Sequence, residues 1–147
     1  MGFTRQPHFV RGQGGVEDPE FRASSLVGFD YPDEFGDQAP VSLTRWAESL
    51  FDAPLELRYT GLDPAARYKV RFVEAGDSAR RATRLVANGR FEIHPLRKKD
   101  AEVKPVEFDI PAEATASGTL TLEWQPDPAE SGNGRWVQIS EVWLMRR

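Results

Sequence analysis

From residue 55 onward, apolar and polar residues alternate along the chain, as strands with one buried face require. LELRYT (55–60) sets Leu55, Leu57 and Tyr59 against Glu56, Arg58 and Thr60, and RYKVRFV (67–73) sets Tyr68, Val70 and Phe72 against Arg67, Lys69 and Arg71. GLDP (61–64) between them reads as a turn, Gly61 tolerating unusual dihedrals and Pro64 fixing φ. The two strands therefore either pair or cross the sandwich. TRLVA (83–87) and RFEIHPL (90–96) are separated by Asn88-Gly89, whose residues both accept the positive φ of a type I′ turn. The pattern predicts a hairpin with Phe91 and Ile93 on one face and Glu92 and His94 on the other. VKPVEFDI (103–110) alternates through Val106, Phe108 and Ile110, and Pro105 puts its start at a sheet edge or before pairing begins.

PAEATASG (111–118) reads as a loop or a single helical turn. Beyond it TLTLEW (119–124) and RWVQISEVWL (135–144) flank a ten-residue polar loop, and together they read as a hairpin that closes a sandwich. Trp124 and Trp143 fall on strand phases expected to be core. In the last segment the alternation Val137, Ile139 slips to Val142, Leu144, which predicts a β-bulge near Ser140-Glu141. Residues 41–51 are a strand or an irregular approach segment carrying Trp46. Residues 1–40, rich in Gly, Pro and Asp, read as loops that wrap the body, with a short strand at 24–29. Seven or eight short strands and no helix beyond a turn or two make this an all-β chain, an antiparallel β-sandwich occupying residues 1–147 as one domain.

Composition removes several function classes. The net charge of −4, without a long single-sign block, argues against a nucleic-acid partner, which needs a basic face. The absence of cysteine excludes disulfides and thiol chemistry. No stretch has the apolar length of a membrane span, so no membrane partner is expected. The N-terminal MGFTRQPH lacks the apolar region of a signal peptide; the chain is then intracellular, or a mature or excised domain of something larger. There is no G-x-S-x-G elbow and no P-loop, GQGG (12–15) lacks the strand-to-helix context of a phosphate cradle, and no carboxylate pair stands apart from surface charge. An enzyme is not expected.

The series ELRYTGLDPAARYKVRFVEAG, TRLVANGRFEI, VEFDIPAEATASGTLTLEW and VQISEVWL resembles the galactose-binding-like jelly roll in its malectin-like and carbohydrate-binding-module variants. The likeness lies in a strand-turn-strand of the form L-D-P…Y-x-V-x-F, an N-G hairpin, a G-x-L-x-L strand and a last strand ending E-V-W-L. It covers residues 54–144. The resemblance implies an accessory domain that binds glycan through loops at one end or edge, often with a structural calcium. It also implies a secreted or periplasmic setting and a catalytic domain in the same polypeptide. The alternative is a structural domain that packs on a catalytic partner and binds no sugar.

Sugar recognition needs a flat aromatic face and planar polar groups. Trp136, Arg135 and Asn133 at the exit of the 125–134 loop meet that description, unless Trp136 caps the sandwich. Asn88 on the hairpin turn, Arg84 and His94 on its polar face, and Trp46 are further candidates, and the expected site joins the 125–136 loop to the 84–94 hairpin. At the slip, an inward-aimed Glu141 carboxylate needs an arginine, backbone donors or a cation as partner. Calcium held by Glu141 with Asp30 and Asp33 is the metal expectation. His8 and His94 are too far apart in sequence, with no cysteine to help, for a zinc site.

Overall fold

The computed structural model describes the backbone at residues 20–21, 26–30, 45–50, 53–74, 82–130 and 135–147, and side chains at 53–74, 82–130, 137–139 and 141–147. These residues form ten strands: β1 (Glu20–Phe21), β2 (Leu26–Asp30), β3 (Arg45–Leu50), β4 (Leu55–Tyr59), β5 (Tyr68–Glu74), β6 (Ala82–Ala87), β7 (Phe91–Lys98), β8 (Pro105–Ile110), β9 (Leu120–Pro126) and β10 (Arg135–Arg146). One 3-10 turn, Ala112–Thr115, stands where a loop or single helical turn is expected. No helix among the described residues is long and apolar enough to cross a membrane.

The strands make two five-stranded sheets, β1-β4-β9-β6-β7 and β2-β3-β10-β5-β8, with every pairing antiparallel. The chain is an antiparallel β-sandwich. It passes between layers at β1–β2, β3–β4, β4–β5, β5–β6, β7–β8, β8–β9 and β9–β10, so LELRYT and RYKVRFV cross the sandwich rather than pair. The core is built from the alternating phases read in the sequence. Leu55, Leu57, Tyr59, Leu85, Ala87, Leu120, Leu122 and Trp124 come from the first sheet, and Tyr68, Val70, Phe72, Val137, Ile139, Val142 and Leu144 from the second. Each large apolar side chain fully buried here contributes about 1.5–3 kcal/mol against leaving it in water.

The Asn88-Gly89 turn forms as expected, with φ of 52° and 72° and Arg90 N–H donating to the Ala87 carbonyl at 3.1 Å. β8 is an edge strand, as Pro105 requires. Two expectations are corrected. The C-terminal segments are not a hairpin: β9 lies between β4 and β6, and β10 between β3 and β5, in opposite layers. Their alternation is right, but each completes its hydrogen bonding with strands far away in sequence. Trp143 is half-buried on the outer face rather than core, its ring 5.2 Å from the Arg71 guanidinium carbon.

The reason is the bulge, which sits where the slip predicts it. Ile139 pairs with Glu74 but Glu141 with Val73, so β10 carries one extra residue at 140–141. That residue turns Val142 and Leu144 into the core and places Glu141 and Trp143 on the outer phase, so the Glu141 carboxylate is not aimed inward. Val73 and Met145 share the outer phase and are buried. A second irregularity falls at the start of β10, where Arg135 pairs with Leu50 but Gln138 with Glu48.

A polar cleft at the loop end of the first sheet

Strand register divides the connections between two ends of the sandwich. Thr83 pairs with Pro126, Leu55 with Trp124, Arg135 with Leu50 and Ile139 with Glu74, so the start of β4, the end of β9 and the start of β10 share one end. The Asn88-Gly89 turn lies at the other, where Asn88 N–H donates to the Thr121 carbonyl at 2.8 Å. It is about 13 Å along the strand from Arg84. The expected union of the 125–136 loop with the whole 84–94 hairpin is therefore corrected: Arg84 joins the loop and Asn88 does not. Asn88 is committed to the fold. Its amide donates to the Ala114 carbonyl at 2.6 Å, and its oxygen accepts from Thr121 N–H at 2.9 Å.

At the loop end is a cleft of about 380 Å³ lined by Pro54, Glu123, Gln125, Pro126, Asp127, Pro128 and Glu130. Its volume falls in the range of small-ligand sites. Glu123 and Gln125 occupy the outward phase of β9, because Leu122 and Trp124 take the inward one. Arg84 stands opposite Gln125 on β6 and donates from Nε to Gln125 Oε1 at 2.6 Å. Gln125 Nε2 in turn donates to Glu123 Oε1. A guanidinium only donates and a carboxylate only accepts, so the carboxamide has one orientation that satisfies both. Asp127 anchors the rim as an Asx turn, its Oδ1 accepting from Ala129 N–H at 2.9 Å and its own N–H donating to the Ala82 carbonyl at 3.0 Å. The lining combines three carboxylates and a carboxamide with three proline rings.

Of the residues singled out in the sequence, Arg84 alone among those with described side chains bonds to a lining residue, Gln125, although it does not itself line the cleft. Arg135 and Trp136 open β10 at the same end, and the register irregularity falls on Trp136-Val137; their side chains lie outside the described residues. Asn133 and Asp33 lie outside them altogether. Trp46 pairs with Phe29, and Asp30 with Arg45, in strand register; the side chains of Trp46 and Asp30 are likewise outside the described set. The cleft carboxylates and Gln125 were not singled out, although the outward phase of TLTLEWQ beside the loop was the signal that could have found them.

His94 is corrected from the polar face to the interior, where it is 2% exposed. Between Leu85 and Val86 the register advances one residue on β6 but two on β7, from His94 to Glu92. Ile93 is the extra residue, and it reverses the phase beyond it, so His94 faces inward opposite Leu85. The imidazole packs on Phe72 and Phe108, with ring centroids 6.0 and 4.7 Å away. Its Nδ1–H donates to the Pro95 carbonyl at 2.8 Å, leaving Nε2 buried as an acceptor without a hydrogen-bond partner among the described residues. Burial lowers the pKa of His94, with the nearby Arg97 charge acting in the same direction. One turn of pleat further on, Arg97 forms an ion pair with Glu74 across the two layers and lies 5.9 Å over the Phe108 ring. Loss of water raises the Glu74 pKa, against the opposing pull of Arg97.

Glu141 on the outer face has its pKa raised by loss of water, with the Arg71 charge working against the shift. Arg71 is the cation whose charge acts on it. Among the described residues no three His, Cys, Asp or Glu side chains come together to hold a metal, and the side chains of Asp30 and Asp33 lie outside those residues.

No protein-family model matches the chain, and no curated protein matches it. Solved structures do. One is TmCBM61 in complex with β-1,4-galactotriose, at 16% identity over 92% of this chain and 91% of that one, with a TM-score of 0.49. A second is an exo-β-1,3-galactanase from Phanerochaete chrysosporium with β-1,3-galactotriose, at 12% identity and TM-score 0.49; 86% of this chain matches 27% of that one. A third is a family 35 carbohydrate-binding module from Clostridium thermocellum, at 11% identity over 81% and 88% of the two chains, with a TM-score of 0.47. The sandwich assignment rests on the strand order and register above.

Proposed function

We propose that this chain is a non-catalytic carbohydrate-binding module that holds a glycan in the cleft at the loop end of the first sheet. The observation that carries the reading is the composition of the lining. Planar carboxylate and carboxamide groups of Glu123, Gln125 and Asp127 stand beside the flat apolar rings of Pro54, Pro126 and Pro128. A pyranose offers the matching surface: hydroxyls around its rim and C–H groups on its faces. The groups are held before any ligand arrives, since Arg84 fixes Gln125 and the Asx turn fixes Asp127, and binding then costs less ordering entropy. Arg135 and Trp136, expected from the sequence to take part, open β10 at the same end. With this reading goes an accessory role in a larger polysaccharide-degrading protein, acting in a secreted or periplasmic setting.

Affinity electrophoresis against plant, algal and bacterial polysaccharides tests it. Retardation by at least one polymer, lost in Gln125→Ala and weakened in Trp136→Ala, is the expected result. Retardation that survives Gln125→Ala removes the cleft as the site. No retardation on any polymer replaces the reading with a structural domain that packs on a catalytic partner. Repeating the bound lane and a thermal melt with chelator tests the calcium expectation at Asp30, Asp33 and Glu141. A chelator-dependent midpoint supports a bound ion through mass action, and an unchanged one rejects it.

A further inference from the structure

Resting on that reading, we infer that the cleft selects saccharides that donate hydrogen bonds and carry no negative charge, with Glu123 as the selecting group and Arg84 as a positioning residue behind it. The chemistry follows from the direction of the relay. Arg84 can only donate, so its Nε–H fixes the Gln125 oxygen toward β6 and turns the Gln125 amide onto Glu123 Oε1. The carboxamide acceptor is thereby spent inside the row. One oxygen of Asp127 is likewise spent on Ala129 N–H. What remains toward the ligand from these residues is one N–H of the Gln125 amide and the second oxygen of each carboxylate, so that the acceptors left over bear negative charge.

A hydroxyl or ammonium group satisfies such acceptors. A uronate or sulfate ester brings further acceptors and a charge of the same sign. Glu123, Asp127 and Glu130 all line the cleft. The Glu123 and Asp127 charges several ångströms away in a high dielectric, partly offset by the Arg84 cation behind Gln125, amount to a preference of about threefold, which added salt screens.

The experiment is a glycan array of pairs with identical linkage that differ only in charge: hexose against uronate, unsulfated against 6-sulfated, 2-amino against 2-hydroxy. The neutral member of each acidic pair is expected to bind about threefold more tightly at low salt, and the amino sugar at least as well as its hydroxyl partner. The gap is expected to narrow in high salt and in Glu123→Gln, which keeps shape and removes charge. Glu113→Gln, an exposed carboxylate on the 3-10 turn at the opposite end, should leave it unchanged. Arg84→Met, which frees the Gln125 amide to rotate, should weaken the neutral ligand several-fold with an unaltered melting temperature. Anionic members bound equally or better, or a gap that neither salt nor Glu123→Gln moves, overturns the inference while leaving glycan binding in place. A wild-type protein that binds no member of any pair refutes the carbohydrate reading and this inference with it.

Discussion

Arg97→Met strands a carboxylate inside the sandwich. Glu74 occupies the inward phase of β5 and is 9% exposed, while the guanidinium that neutralises it is 22% exposed. Removing one partner of a buried pair costs about 3–5 kcal/mol, because the remaining charge is left without compensation. The partial exposure of Arg97 places this case at the lower end, about 3 kcal/mol. For a domain of this length each kcal/mol moves the midpoint by about 2–4 °C, so a fall of roughly 6–12 °C is expected at neutral pH. Methionine keeps an apolar side chain of similar length in place of the guanidinium, so the loss reports charge rather than volume.

The pH dependence identifies the cause. The Glu74 pKa is raised above its ordinary 4.5 by loss of water, offset by Arg97 and Lys99 and reinforced by Asp100. A raised pKa means the folded state holds the proton more tightly than the unfolded one. Its contribution is therefore fully present below 4.5 and lost as pH rises through the folded value. Without Arg97 the pKa moves further up and the window widens, so the deficit of Arg97→Met relative to wild type shrinks as the solution is acidified from neutral. Arg97→Met/Glu74→Leu should melt near wild type at neutral pH, since an apolar replacement of a buried pair is often neutral or stabilising. Thermal melts of wild type and the two variants between pH 5 and 8 check this. A single variant within about 2 °C of wild type at neutral pH, less than 1 kcal/mol on the same scale, refutes the reasoning. So does a deficit that is constant with pH, or one that Glu74→Leu does not relieve.

His94→Phe fills the same space between Phe72 and Phe108 and removes the unpartnered Nε2. Because burial lowers the His94 pKa from 6.5, its contribution is present above that value and lost as pH falls through the lowered folded one. The substitution should therefore stabilise the fold more at pH 5.5 than at pH 8, by about 1–2 kcal/mol. Asn88→Ala removes both side-chain hydrogen bonds and puts a side chain with no polar group at φ of 52°. It should cost about 3 kcal/mol in denaturant melts and leave glycan affinity unchanged, since the turn lies at the end away from the cleft.

Much of the scaffold was legible because it depends on local chemistry. The alternation in LELRYT and RYKVRFV names the buried residues of β4 and β5 one by one. The double positive φ at Asn88-Gly89, the edge position of Pro105 and the slip before Val142 each follow from what a backbone can do at that residue. β1, only two residues long, offers no period to read. In the site, Arg84 was legible as an outward polar residue, whereas Asn88 was not distinguishable from a ligand group, because an exposed turn amide has the same composition whether it binds sugar or backbone.

The sequence by itself determined the all-β class, the faces of the regular strands and the places where the chain must turn or bulge. These are set by side-chain period and dihedral preference, which act over a few residues. Only the tertiary structure decided which layer each strand joins. Hydrogen-bond partners in a sandwich come from distant segments, so β9 and β10 alternate like a hairpin and yet lie in opposite sheets. It also decided that one extra residue at Ile93 turns His94 inward, and that Arg84, Gln125 and Glu123 meet in a row. Alternation says which face a residue takes on its own strand. The strand packed beside it decides what that face becomes.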